Sequence, residues 1–224
     1  MTGTAPTRSE PATAILTAQN PWPGLRAFTE SEHEFFFGRE CEAAELLELI
    51  ERAPVVVLFG QSGLGKTSLI QAGLFPELKR RDFFGLRLRF DYSEDAPPLV
   101  EQIKNRLSGA LDRAGIKAPR AGPAETLWEY FHRRDVDFWG PGNRLLTPVI
   151  VLDQFEEVFT LGQRSPATVA RVAQLAGDME SVLEHRPPAP VRRRLDDDPD
   201  DALRYDFHRQ GVKFLISLRE DFLA

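Results

Sequence analysis

Cysteine is nearly absent: the chain has one, Cys41. That excludes an internal disulfide framework and agrees with a reducing compartment. Lysine is scarce as well, 5 residues against 23 arginines, so a lysine inside a glycine-rich loop stands out. Long apolar runs are missing; the longest clean one covers residues 55–59, far short of the span a bilayer needs. The N-terminus lacks a basic segment followed by a long apolar one, so a cytoplasmic location with no membrane association is expected. Positive charge is also in deficit: 28 basic against 34 acidic residues leave a formal charge of −6, which argues against a broad nucleic-acid surface.

What is present is an ordinary globular composition, 42% hydrophobic and 28% charged over 224 residues, with room for one sizeable domain. Residues 1–19, rich in Ala, Thr and Pro, read as a mobile leader. Asn20 to Leu25 is turn-rich and, with Phe28 and Phe35 to Phe37, is expected to pack on the domain as an arm. Residues 40–52 read as a helix with Ala43, Leu46, Leu47 and Ile50 on one face and glutamates on the other. The apolar run 55–59 predicts a strand buried on both faces. A helix over 67–74, stopped near Pro76, follows. Alternation at Leu86, Leu88 and Phe90 predicts a strand with one wetter face. Helical spacing returns over 99–114, ending at Gly115, and again from Pro123. Residues 135–143 read as a loop, 149–152 as a buried strand, and Pro166 with Ser165 as its cap opens a further helix. Residues 186–203, with three prolines before Arg192 to Arg194 and five aspartates after them, read as a solvated, disordered insertion. A last strand covers 214–218. Strands alternating with helices indicate an α/β domain with a mainly parallel sheet.

Gly60-Gln61-Ser62-Gly63-Leu64-Gly65-Lys66-Thr67 matches the phosphate-loop pattern G-x-x-x-x-G-K-[ST]. Glycines let the backbone wrap closely and turn its N–H groups inward as an anion site. The helix that starts near Lys66, and includes Ser68, adds its positive dipole end. The ammonium of Lys66 suits the β- and γ-phosphates, and the Thr67 hydroxyl suits Mg2+.

Strand 149–152 delivers Asp153 at its C-terminal end, the edge where parallel α/β sheets hold ligands. An apolar strand ending in Asp is the Walker B arrangement, in which the carboxylate serves the Mg2+ shell opposite Thr67. Glu156 and Glu157 follow three and four residues on. Either could polarise a water for in-line attack, and both could instead be dipole-favoured carboxylates of a helix N-terminus. Two adjacent acids on a helical turn point apart, so one productive acid is expected. Arg219, at the end of the last strand, is a candidate reader of the γ-phosphate, or a solvated surface arginine.

Five motifs in order resemble the novel-STAND NTPase domain, a bacterial branch of the signal-transducing STAND ATPases related to AAA+ proteins. They are Asn20-Pro21-Trp22-Pro23-Gly24-Leu25-Arg26-Ala27-Phe28, Phe35-Phe36-Phe37-Gly38-Arg39-Glu40, the Walker A loop, Asp153-Gln154-Phe155-Glu156-Glu157 and Leu218-Arg219-Glu220-Asp221-Phe222. The resemblance covers Asn20 almost to the C-terminus. It implies a P-loop NTPase core over 20–224, built on a five-stranded parallel sheet sandwiched by helices, with the Walker A strand flanked by the sensor strand. It also implies ATP with Mg2+ as ligands, Phe37, Gly38 and Arg39 near the adenine, an acid pair displaced to Glu156 and Glu157, and Arg219 as the first sensor. Such domains act as slowly hydrolysing signalling switches that work through protein partners or self-association. Relatives usually continue into a helical lid and a winged-helix domain, which this sequence does not include. A fast-turnover ATPase or kinase, and a non-catalytic interaction fragment, remain the alternatives.

Overall fold

The computed structural model describes residues 16–222; the proposed leader therefore lies outside the described residues, apart from 16–19. There Leu16 is buried, while the exposed Thr17 exchanges backbone hydrogen bonds with Asn20 in a local turn. The arm is divided. Phe28 and Phe36 meet edge to face at 5.5 Å, while Trp22 and Leu25 are exposed.

Helix α1 (Glu40–Arg52) buries the expected Ala43, Leu46, Leu47 and Ile50. Full burial of a Leu or Ile contributes about 1.5–3 kcal/mol, which makes this stripe the helix's main tether. Strand β1 (Val55–Gly60) leads to α2 (Lys66–Ser68), a π-helical stretch (Leu69–Leu74) and α3 (Phe75–Arg80). The helix thus passes through Pro76 rather than stopping there. The Phe75 N–H bonds the carbonyl of Ile70, five residues back, and this wider turn gives space where a proline ring would clash in a regular helix. Strand β2 covers Phe83–Leu88, shifted towards the N-terminus of the expected alternation, and α4 covers Leu99–Ala114 with Gly115 as its left-handed cap. Helix α5 (Leu127–His132) begins four residues after Pro123. Thr126 sets the start: its hydroxyl accepts from Glu129 N–H, and Glu129 accepts from Thr126 N–H at 2.8 Å.

Residues 135–143 hold a short strand, β3 (Phe138–Gly140), antiparallel to the first residues of β4 (Arg144–Leu152). Helix α6 (Glu157–Thr160) and α7 (Pro166–Leu183) follow, the latter with Ser165 as its cap. The tract expected to be disordered folds instead. Helix α8 (Ala189–Asp197) buries Val191 and Leu195, four residues apart on one face, and Arg194 bridges Glu129 of α5 and Asp201 at 2.6 and 3.0 Å. Strand β5 (Lys213–Arg219) closes the sheet.

Among the described residues, five strands make the sheet. Four are parallel in the order β1-β5-β4-β2, and β3 joins β4 antiparallel. The sheet is mainly parallel, as expected, with β3 as the antiparallel member, and β1 lies beside β5. Helices flank both faces. Val56, Val149, Val151 and Leu215 pack with α1, α3 and the π-helical stretch. Leu86, Leu88, Ile150, Leu152 and Phe214 pack with α4, α5, α7 and α8, around the buried Trp128, Tyr130 and Phe131. Among the described residues β1 is an edge strand, and Val57 and Phe59 are 44% and 56% exposed. An unbroken apolar run identifies a strand but not its place in the sheet, so burial on both faces does not hold for β1.

Candidate functional site

The turn after β1 brings the chemistry to the C-terminal edge of the sheet. Gly63 and Gly65 have φ of 85° and 77°, backbone that side chains with a Cβ rarely adopt. Gly65 is the N-cap of α2, so the helix opens at Lys66 as expected. The Lys66 ammonium donates to the Gly60 and Gln61 carbonyls at 2.7 and 2.9 Å. Arg39 Nη1 donates to the Leu64 carbonyl at 3.2 Å, which joins the Phe37–Gly38–Arg39 segment to the loop; Phe37 itself is exposed. Ser68 is buried and its hydroxyl accepts from Phe28 N–H at 3.1 Å. Its side chain thus anchors the arm rather than facing the loop.

Asp153 follows β4, with its N–H on the Leu88 carbonyl at 2.8 Å. Strand alternation continues the Val149 and Val151 row to this carboxylate, and the Leu215 row to Ser217 and Arg219. The Thr67 hydroxyl donates to Asp153 Oδ2 at 3.1 Å. Two hard oxygen donors thus meet from residues 86 positions apart, a donor set that fits Mg2+. The carboxylate is buried and also accepts from Gln154 N–H at 3.1 Å and from Arg87 Nη1 at 2.7 Å. Gln154 sits at φ 57°, unusual for a residue with a side chain, and turns the chain sharply after the acid.

The acids that follow have different surroundings. Glu157 is bound by Arg89 through two contacts, one from Nε at 3.1 Å. This pairing holds the Arg89 guanidinium above its usual value. Glu156 has Oε2 buried with no hydrogen-bond partner. Ser217 Oγ and Arg219 Nε are buried and unpartnered in the same way. The Phe155 N–H donates to the Ser217 carbonyl at 2.8 Å, tying the acidic turn to β5, and Arg219 lies in register with Gly60 of the loop. The remaining Arg219 contact is with Asp221. The structure therefore brings together the loop, Asp153, Glu156, Glu157 and Arg219. It adds Arg87, Arg89 and Ser217, which the sequence reading did not single out. A lone serine inside an apolar strand was the available signal for Ser217.

An α/β sheet that sets a glycine-rich phosphate-type loop against an acid at the end of a parallel strand defines a class of proteins that handle phosphorylated ligands. Within it, this chain belongs to the Novel STAND NTPase 1 family, whose model matches residues 21–224. A search of curated proteins finds no match. Among the described residues, no helix is long and apolar enough to cross a membrane.

Proposed function

We propose that this chain is the ATP-binding, slowly hydrolysing core of a STAND-type signalling switch. The observation that carries the reading is the Thr67–Asp153 contact at 3.1 Å beside Lys66, one strand and one helix start converging from distant sequence. In this reading the backbone N–H groups of residues 60–67, with Lys66, hold the β- and γ-phosphates. Thr67 and Asp153 supply the protein ligands of Mg2+. The bound cation supplies charge neutralisation on the phosphates. Phe37, Gly38 and Arg39 border the base. Glu156, with a free carboxylate oxygen, holds and orients the attacking water, while Arg89 ties up Glu157. Arg219 reads the γ-phosphate from the neighbouring strand. The switch acts in the cytoplasm through protein partners or further copies of itself.

The test is a thermal melt of the whole chain with and without Mg-ATP. A ligand at 100 times its Kd stabilises by about 2.7 kcal/mol. Wild type should shift and Lys66→Ala should not; an unshifted wild type would overturn the nucleotide reading. Slow phosphate release above background then tests hydrolysis separately.

A further inference from the structure

The end of β2 carries an arginine that the nucleotide reading does not use, Arg87, and it sits on the carboxylate proposed to hold the cation. Asp153 is 4% exposed. Its Oδ2 accepts from both Arg87 at 2.7 Å and Thr67 at 3.1 Å, and its Oδ1 from Gln154 N–H at 3.1 Å. Little acceptor capacity is left on this carboxylate. Arg87 reaches it because β2 and β4 pair in parallel with Arg87 beside Val151, on the row that ends at Asp153. The Arg87 backbone is fixed: its carbonyl accepts from Arg106 Nε of α4 at 3.2 Å. Its side chain is not enclosed, being 36% exposed against 3% for Asp153. The guanidinium can therefore swing into solvent while the carboxylate stays.

We propose that Arg87 and a divalent cation compete for Asp153, so that Arg87 sets the cation affinity of the site and is released from Asp153 when the cation is held. A guanidinium and a dication on one buried oxygen repel each other strongly where solvent screening is weak. Arg87 is the member that can leave, having the longer and more exposed side chain. The pair then acts as an internal threshold: the carboxylate is neutralised at all times, by Arg87 or by the cation, and the cation must exceed the competition before it binds. Arg89 provides the comparison, since it lies two residues on but bonds Glu157 rather than Asp153. The inference rests on the reading of Thr67 and Asp153 as cation ligands, and extends it to what governs their occupancy.

The experiment uses the whole chain and Mn2+ alone, with bound metal read from loss of the free-Mn2+ EPR signal. Arg87→Met should tighten Mn2+ binding by at least about fivefold, the lower end of ordinary coupling between two ligands. It should also lower the melting temperature without metal, and Mn2+ should restore it. Arg87→Gln gives the same direction should the methionine variant fold poorly. Arg87→Lys should stay near wild type, and Arg89→Met should move Mn2+ affinity far less than Arg87→Met. Equal or weaker Mn2+ binding by both neutral Arg87 variants overturns the proposal, as does absence of Mn2+ binding in every protein. Failure of the nucleotide reading registers elsewhere, as a wild type that Mg-ATP does not stabilise while the Mn2+ series still separates.

Discussion

Arg89 clasps Glu157 across the ends of β2 and α6, with Nε 3.1 Å from Oε2, whereas the adjacent Glu156 keeps Oε2 buried and unpaired. One carboxylate of the pair is thus occupied and the other is free. Glu156→Gln should slow phosphate release by at least about 100-fold, the low end for loss of a positioned acid–base group. Glu157→Gln should slow it less, and Arg89→Met should resemble Glu157→Gln. Mg-ATP affinity should hold in all three. Single-turnover phosphate release checks this; equal losses from both glutamate variants would mean that Arg89 does not divide their roles.

The loop and Asp153 were legible in the sequence because their chemistry fixes residue type and spacing together. A glycine at a positive φ, a lysine at the helix start and an acid at a strand end each leave a local mark. Arg87 and Arg89 left none: alternation with Leu86 and Leu88 reads as a strand's wet face, and only the parallel register with β4 turns Arg87 towards Asp153. The exposed side of β1 was hidden for a similar reason, since apolar continuity carries no information about which strands lie alongside. In the tract 186–203, charge and proline content outweighed two residues, Val191 and Leu195, whose spacing was enough to seat a helix.

That seating predicts a stability effect. Leu195 of α8 lies in the cluster that contains Trp128 and Tyr205. Leu195→Ala should cost about 2–5 kcal/mol, the range for buried Leu-to-Ala changes. A solvated tract would show almost no change. Denaturant unfolding followed by tryptophan fluorescence reads the difference directly, and Val191→Ala should move it the same way.

Stability should also fall below neutrality through His132. The ring is buried, stacks on Trp128 at 4.6 Å and bonds the Trp128 carbonyl through Nδ1 at 2.9 Å, with Nε2 facing His185 Nδ1 at 3.2 Å. Burial pulls its pKa down to about 4, against the opposing pull of the Trp128 carbonyl. The unfolded chain takes up this proton near pH 6.5 while the folded one does not, so the stability contributed by neutral His132 is complete above about 6.5 and is lost as pH falls towards 4. Between pH 7 and 5 the loss is about 2 kcal/mol. That corresponds to roughly 4–8 °C in melting temperature for a chain of this size. His132→Phe should flatten this window; a wild-type profile unchanged from pH 7 to 5 would contradict the assignment.

Ser217 separates stability from activity. Its hydroxyl is 1% exposed and unpartnered, and a buried polar group left unpaired costs about 1–3 kcal/mol. Ser217→Ala removes that cost and leaves only a small void, so the ligand-free protein should melt higher. The same hydroxyl stands on the β5 row that ends at Arg219, and the Ser217 carbonyl receives the N–H of Phe155, next to Glu156. If it helps to hold the attacking water there, alanine should lower the rate of phosphate release while Mg-ATP affinity stays the same. A gain in melting temperature together with a loss in turnover is the pattern of a residue kept for function at the expense of stability. If the melting temperature rises and turnover does not change, Ser217 is only a small residue that lets β5 pack. Ser217→Thr supplies the control, because it keeps the hydroxyl: turnover should survive in this variant even where the added methyl group lowers stability.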